Sequence, residues 1–174
     1  MAWQIDASHS QVTFSVKHMM FATVKGSFQV ISGQLHIDQE NPANSSVDAQ
    51  AETASIHTRD ANRDAHLRSA DFFDAEKYPT ITFKSTSVER VKGDEYKVTG
   101  DLSIHGVTQS VVFDATYTGA GKDPWGNQRV GIDASSKINR KDFGLNWNQA
   151  LEAGGVLVSE DVKIELELSL VEQK

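Results

Sequence analysis

Apolar and polar side chains alternate along most of this chain, which is the pattern of β-strands with one buried face. The clearest run is 162–170, where Val, Ile and Leu residues alternate with charged and small polar ones. The segments that show this alternation are 11–17, 24–37, 47–52, 80–84, 96–104, 111–117, 130–138 and 162–170. They predict about eight strands, joined by short connections that contain Gly, Asp and Asn.

Three features interrupt the pattern. Residues 58–73 carry Ala, Arg, Asp and Leu without alternation and predict one short helix. Residues 139–155 hold two aromatic residues and three glycines and predict a long structured loop. Within 24–37 the apolar positions change parity close to Gly33, which predicts a β-bulge there.

A sheet in which every strand alternates has one apolar and one polar face, and closing it into a barrel removes its exposed edges. The sequence therefore predicts an all-β, closed antiparallel barrel of about eight strands, whose interior is either filled or holds one small ligand. The small residues expected to face inward are Ala49, Ala51, Gly100, Ala115 and Ala134. They leave room for a ligand or pack against phenylalanines in a dry core, and the pattern favours neither arrangement.

The composition narrows the choice of partners. The 174 residues suit a single domain, residues 1–174, and they include 17 basic and 24 acidic side chains, a formal net charge of −7. An acidic balance argues against nucleic acid, and it disfavours electrostatic docking on anionic lipid. The absence of cysteine excludes disulfides, thiolate catalysis and zinc sites of the cysteine type.

The first residues and the hydropathy bear on location. Residues 1–6 contain neither the basic nor the apolar region of a secretory signal, and no window approaches 18 apolar residues, so no transmembrane segment is predicted. We therefore expect a cytoplasmic protein. A leader ahead of Met1 would change that expectation to the periplasm.

Catalytic and metal chemistry find little support. His9 and His18 flank the first clear strand, and His57 and His66 flank the predicted helix, but none of the spacings is that of a zinc site. Asp6, His9 and Ser10 are close in sequence, but the chain has no Gly-x-Ser-x-Gly nucleophile elbow. We predict no catalytic residue, no metal and no cofactor.

Two loop motifs are open to alternative interpretations. The aromatic residues of 71–74 could plug one end of the barrel or touch a ligand, and the plug is favoured. Arg140 could bind a ligand's head group or pair with a carboxylate on a neighbouring loop. Trp147 could cover the barrel opening as a lid or pack within its own turn.

Four motifs, in order along the chain, resemble the YceI-like family. They are Trp3-Gln4-Ile5-Asp6 with the strand positions that follow it to Phe28, His66–Asp74 followed by Tyr78-Pro79, Gly100–Thr108, and Ile138–Gly144. The resemblance runs from residue 3 to about residue 170. It implies a lipocalin-like barrel that binds a polyisoprenoid, either an isoprenoid quinone or a prenyl carrier lipid, and it implies no enzymatic activity.

Together these observations predict a protein that carries or sequesters an isoprenoid lipid. An enzyme acting on such a lipid and a filled barrel that binds proteins through its loops are the alternatives, and a homodimer stays open. The residues expected to contact the ligand are Val12, Phe14, Val16, His18, Phe28, Phe83, Leu102, Ile104, Phe113, Arg140, Phe143 and Trp147. Of these, His18 and, less strongly, Arg140 are expected near the head group.

Overall fold

The computed structural model describes residues 2–148 and 157–173. Its strands are β1 (Ala2–Ile5), β2 (Gln11–His18), β3 (Ala22–Phe28), β4 (Ile31–His36), β5 (Ser46–Glu52), β6 (Ile56–His57), β7 (Thr80–Lys92), β8 (Glu95–Ile104), β9 (Val107–Lys122), β10 (Gln128–Asn139) and β11 (Val158–Glu172). One α-helix, α1 (Ala61–Arg68), follows β6. Single turns of 3-10 helix lie at Ala7–His9, Pro42–Asn44, Thr53–Ser55 and Arg140–Phe143.

The strands form one closed antiparallel barrel with eight positions around its wall. The order is β1-β4-β5-β7-β8-β9-β10-β11, and β11 returns to pair with β1. The remaining strands extend three of these positions, because β2 continues β1, β3 precedes β4 and β6 follows β5 after short breaks. Strand β11 accordingly pairs with β1 near Leu170 and with β2 near Leu166. The predicted eight-stranded barrel with one helix is confirmed.

The change of parity between β3 and β4 is not a bulge at Gly33. That prediction is wrong, since Gly33 pairs regularly with Ala49 inside an unbroken β4–β5 ladder. The chain instead bends at Gln29 and Val30, between the two strands. A glycine is needed at position 33 for another reason. A Cβ atom there would lie 2.7 Å from the carbonyl oxygen of Asp48.

Helix α1 lies inside the predicted range of 58–73 but is shorter. It begins after Asp60, whose carboxylate accepts hydrogen bonds from the amides of Asn62 and Arg63. The buried carboxylate of Asp64 accepts hydrogen bonds from the amide and hydroxyl of Thr58, just after β6. Polar contacts at its first turn therefore fix this weakly amphipathic helix to the barrel.

The interior contains two tightly packed clusters. One joins the N-terminal strand β1 to the C-terminal part of β11 and includes Trp3, Ile5, Ile31, Leu35 and Leu170. The other lies at the end that carries α1, which we call the helix end, and includes Leu102, Ile104, Ile138, Phe143 and Leu145.

In the described residues, no helix is long and apolar enough to cross a bilayer.

Candidate functional site

A cavity of about 300 Å³ runs inside the barrel. Its volume lies at the lower end of the range typical of small-molecule sites. Along β8 alone, four side chains from Tyr96 to Ile104 line it. Eight residue steps correspond to about 27 Å along a strand, or about 20 Å along the axis of a barrel with ordinary tilt. The cavity is therefore elongated.

The wall of the cavity is almost wholly apolar. Inward-facing aliphatic and aromatic side chains from most strands contribute to it, and the principal ones are Val12, Phe14, Val16, Phe28, Ile81, Phe83, Val98, Leu102, Ile104, Phe113, Ala115, Ile132, Ala134, Ile138, Val162, Ile164, Leu166 and Leu168. Many of these side chains are only half-buried although they point into the barrel. They border empty space, whereas Leu170 further along β11 is fully buried.

Polar groups occur at both ends of the cavity. Arg140 contributes to the wall at the helix end. At the opposite end the wall includes Asp38, Gln39 and Ser45, in and beside the loop that joins β4 to β5. The amide of Asn41 donates to the carboxylate of Asp38 and lowers its pKa. The ends therefore differ in charge, positive at Arg140 and negative at Asp38.

The cavity wall brings together most of the residues predicted to contact a ligand. Val12, Phe14, Val16, Phe28, Phe83, Leu102, Ile104, Phe113 and Arg140 all lie in it. These positions come from five different strands and the turn after β10. The alternation of the strands predicted correctly which side of the sheet each of the apolar ones faces.

Three predicted contact residues lie outside the wall. Phe143 is 1% exposed and packs within the cluster at the helix end, so it supports the wall from behind. His18 is half-buried at the end of β2, and it is its cross-strand partner Val158 that lines the cavity. The expectation that His18 reaches the cavity took its parity from Val16, but β11 is irregular between Val158 and Val162, and the ladder shifts there.

Trp147 packs against aromatic side chains at the helix end of the barrel. Its ring lies 4.7 Å from the imidazole of His66 and 5.3 Å from the ring of Phe72. Phe72 in turn lines the cavity. Trp147 therefore packs against α1 and the closing residues from outside, and its ring contacts lie on these segments and not within its own turn. Residues 149–155 of the predicted loop lie outside the described residues.

Arg140 neither pairs with a carboxylate among the described residues nor extends freely into the cavity. Its Nε donates to the carbonyl of Ser159 at 2.8 Å, and Nη2 donates to that of Val158 at 3.2 Å. Its Nη1 donates to the carbonyls of Leu145 and Trp147 at 2.5 and 2.9 Å. Burial lowers the pKa of the guanidinium, and nearby Glu160 opposes that effect. Arg140 thus holds the turn after β10 against the start of β11.

The aromatic pair after α1 both closes the barrel and borders the cavity. Phe72 and Phe73 close the helix end between α1 and β7, and both also line the cavity. The ring of Phe73 stands edge-on to that of Phe28 at 5.8 Å. These two residues are not in the predicted contact set, because closure of the barrel was the favoured interpretation of their motif.

Some of the other wall residues outside the predicted contact set had a visible signal, and one did not. Leu166 and Leu168 belong to the clearest alternating run of the chain and line the cavity together with Ile164. Leu145 follows the 3-10 turn after β10, where no periodicity indicates which way a side chain points. Its position follows from the Arg140 hydrogen bonds and could not be predicted from the pattern.

The only close Asp, Ser and His constellation near the first strand does not have the geometry of a catalytic triad. Asp6 and Ser8 both contact the same ring nitrogen of His9, Nδ1, at 2.8 and 3.1 Å. The Ser8 hydroxyl donates to Asp6 at 2.7 Å, so the serine proton is directed away from the imidazole. A triad needs the acid and the nucleophile on opposite ring nitrogens.

Ser10, the serine close to Asp6 and His9 in the sequence, makes its hydrogen bonds with the backbone of β11. It accepts a hydrogen bond from the amide of Ser169 at 2.9 Å and donates to the carbonyl of the same residue at 3.3 Å. Among residues 2–148 and 157–173, no three His, Asp or Glu side chains are grouped closely enough to hold a metal ion.

Comparison with known proteins is consistent with this architecture. Protein YceI of Escherichia coli O157:H7 is 43% identical over 140 residues, which cover 80% of this chain and 73% of that protein. A UPF0312 protein of Photorhabdus laumondii is 43% identical over 141 residues, covering 81% and 73% of the two chains.

Solved structures give the same result for the fold. The BcnA protein of Burkholderia cenocepacia superposes with a TM-score of 0.84 at 26% identity, covering 95% of this chain and 98% of that one. A polyisoprenoid binding domain from Saccharophagus degradans gives 0.71 at 14% identity with 98% of both chains covered, a likeness of fold alone. Residues 3–170 match the YceI-like domain, and the chain belongs to the YceI-like family.

Proposed function

We propose that this protein binds a long apolar isoprenoid lipid inside its barrel and carries or sequesters it. The observation that carries the proposal is the elongated apolar cavity, whose lining side chains stay half-exposed to an empty interior. Leaving so much apolar surface against a void forgoes dispersion contacts that a filled core would make. An apolar chain in the cavity would restore them.

The shape of the cavity favours a chain over a compact ring system. Its wall presents rings and branched aliphatic groups from six or more strands, with polar groups near its ends. Each buried methylene contributes about 0.8 kcal/mol relative to water. A membrane solvates such a tail equally well, so selectivity must come from the length of the cavity and from contacts with the head group.

The charge difference between the two ends suggests where an electronegative head group lies. Arg140 carries a buried positive charge, and its four hydrogen bonds to carbonyls leave one of its five N–H groups without a partner among the described residues. Asp38 is negative at the other end and would repel a phosphate. A quinone carbonyl or a phosphate is therefore better accommodated at the helix end, close to Arg140.

The proposal is tested by blocking the cavity. In Ala134→Phe a phenyl group enters the cavity from β10, while Val112→Phe adds the same group to the exposed outer face of β9. Each purified protein is extracted with organic solvent and the extract is analysed by mass spectrometry. We expect a prenyl lipid with the parent and with Val112→Phe, and strongly reduced occupancy in Ala134→Phe.

Two results would contradict the proposal. One is a parent protein that yields no prenyl lipid and takes up no polyprenol or isoprenoid quinone from detergent micelles. The other is equal occupancy in parent and Ala134→Phe when circular dichroism shows the same sheet content, because a ligand outside the barrel would be insensitive to the block.

A further inference from the structure

The turn between β2 and β3 exposes three consecutive large apolar side chains. Met19, Met20 and Phe21, which we call the apolar tip, are 42%, 64% and 78% exposed. Isolated exposed apolar residues are common on protein surfaces, but three adjacent ones at the end of a hairpin form a continuous patch. The patch therefore needs an explanation.

The fold does not require these residue types. His18 and Ala22 form the last pair of the β2–β3 ladder, so the apolar tip is the whole connection. Met19 and Met20 both have positive φ angles, 53° and 69°. Glycine and asparagine adopt that conformation most easily and are the common residues in such turns. Methionine here neither eases the turn nor fills a core.

The apolar tip stands beside the helix end of the cavity. The amide of Met19 donates to the carbonyl of Leu157 at 2.7 Å, one residue before Val158. Val158 and Val16 both line the cavity. Three or four residue steps along β2 separate Val16 from the tip, so its apolar side chains extend about 10 Å beyond the wall.

The charge around the apolar tip differs from that of the whole protein. Residues 7–37 contain no Asp or Glu, although the chain as a whole carries a formal charge of −7. Lys17 and Lys25 are exposed on the two strands of the hairpin. The nearest acidic residues on β11, Glu160 and Asp161, each lie within 3.3 Å of a lysine ammonium group. This hairpin is therefore locally neutral to basic.

We infer that the apolar tip docks this protein onto a lipid bilayer, with the helix end of the cavity facing the membrane. Interfacial segments place apolar side chains about 5–10 Å into the boundary between head groups and acyl chains, which the length of the tip matches. The two lysines add attraction to anionic head groups. The inference goes beyond the proposed function, since it names the surface from which an apolar ligand would enter or leave.

Vesicle binding tests the inference with the full-length protein. The variant Met20→Asn/Phe21→Ser removes the most exposed apolar groups, and Asn suits the positive φ angle at position 20. Trp125→Ser is the matched control, because Trp125 is 80% exposed on the β9–β10 turn beside Asp123. Co-sedimentation uses phosphatidylcholine and phosphatidylglycerol vesicles in a 4:1 ratio.

We expect the parent and Trp125→Ser to bind these vesicles with similar affinity. The double variant should bind at least about tenfold more weakly, because two side chains no longer bury apolar surface in the interface. The inference is overturned if the parent does not sediment with the vesicles, or if the double variant binds as well as the parent. It is also overturned if the parent instead forms dimers through this tip, seen as dimers in sedimentation velocity that the double variant lacks, without vesicle binding.

Ligand uptake from detergent micelles separates this inference from the proposed function. The double variant leaves the cavity wall unchanged, so it should take up a polyprenol from micelles to the same final occupancy as the parent. Its uptake from vesicles should be slower by a factor similar to the loss of vesicle binding. Equal uptake rates from vesicles would contradict docking through the tip, whereas no uptake by either protein from micelles would contradict the cavity proposal alone.

Discussion

The two halves of β11 show how one alternating strand can build two different interiors. Leu170 pairs with Ile5 of β1 and is fully buried in the cluster that joins the chain ends. Leu166 pairs with Val12 of β2, points to the same side of the sheet and borders the cavity. The difference arises because Trp3 and Ile5 of β1 fill the interior around Leu170, whereas the side chains of β2 beside Leu166 border the cavity. Alternation thus determines the side of the sheet but not the packing density.

The largest expected effect comes from shortening the packed leucine. Leu170→Ala should lower the free energy of unfolding by about 3–5 kcal/mol, because it creates a new cavity in a filled cluster. Leu166→Ala should cost only about 1–2 kcal/mol, because that side chain already borders a void. Urea unfolding of both variants measures the difference. Equal losses at the two positions would show that the barrel is as densely packed around Leu166 as around Leu170.

Two neighbouring cations at the helix end, Arg140 and Lys141, differ in what they contribute to stability. At the helix end Arg140 donates to four backbone carbonyls, and Arg140→Gln should lower the free energy of unfolding by about 2–4 kcal/mol, since buried acceptors lose charged donors. Lys141→Gln next to it removes only an exposed ion pair with Glu160, so its effect should stay within about 0.5 kcal/mol. Thermal unfolding compares the two, and a similar effect for both would contradict the structural role of Arg140.

Two glycines of the barrel, Gly100 and Gly26, differ in whether the atoms around them can move to admit a side chain. A Cβ at Gly100 would lie 2.6 Å from the carbonyl oxygen of Lys84, so Gly100→Ala should cost about 1–3 kcal/mol. A Cβ at Gly26 would meet the outer ring atoms of Phe14, which borders the cavity, and the methyl group of Thr58 at 2.9 Å. Because the Phe14 ring can rotate into empty space and only the Thr58 methyl group must give way, Gly26→Ala should cost less than Gly100→Ala, about 1 kcal/mol.

Although Gly26→Ala should have the smaller effect on stability, it should reduce ligand occupancy more than Gly100→Ala does. A Phe14 ring displaced into the cavity takes up space that a lipid tail would use, so Gly26→Ala should retain less extractable lipid than the parent. Extraction and mass spectrometry measure this directly. A Gly26→Ala protein with full occupancy and strongly reduced stability would mean that Phe14 cannot move into the cavity.

Much of the fold could be predicted because it follows from residue parity, and for the same reason nine of the twelve residues predicted to contact a ligand lie in the cavity wall. Phe14, Phe83 and Leu102 were assigned correctly since a strand leaves only two directions for a side chain. The three predicted contact residues that lie outside the wall stand where this parity ends. His18 stands beside an irregular part of β11, while Phe143 and Trp147 occupy a turn whose path is fixed by the hydrogen bonds of Arg140. Such contacts between distant chain segments leave no periodic signal.

The smallest expected effect is a change in how stability depends on pH. It involves the end of the barrel opposite the helix end, where Arg129 bridges two carboxylates. Its Nη1 lies 2.8 Å from Asp6 and its Nε lies 2.7 Å from Asp123. The Arg129 hydrogen bond is the main cause that lowers the pKa of Asp123 to about 2, and it lowers the pKa of Asp6 further. Because both folded pKa values lie below the ordinary value of 3.8, the stabilisation is present above about pH 4 and is lost as the pH falls through the folded pKa of Asp123 near 2 and then that of Asp6, which is lower still.

Replacing Arg129 should therefore flatten the response to acid. In Arg129→Gln the melting temperature should be lower than that of the parent above pH 4, and the difference should shrink steadily as the pH falls from 4 towards 2. Lys163→Gln is the control. Its partner Glu165 also has a lowered pKa, but both side chains are more than half exposed on the outer face, so solvent screens the pair. A constant difference in melting temperature between parent and Arg129→Gln from pH 6 to pH 2 would mean that Arg129 acts through packing and not through these two carboxylates.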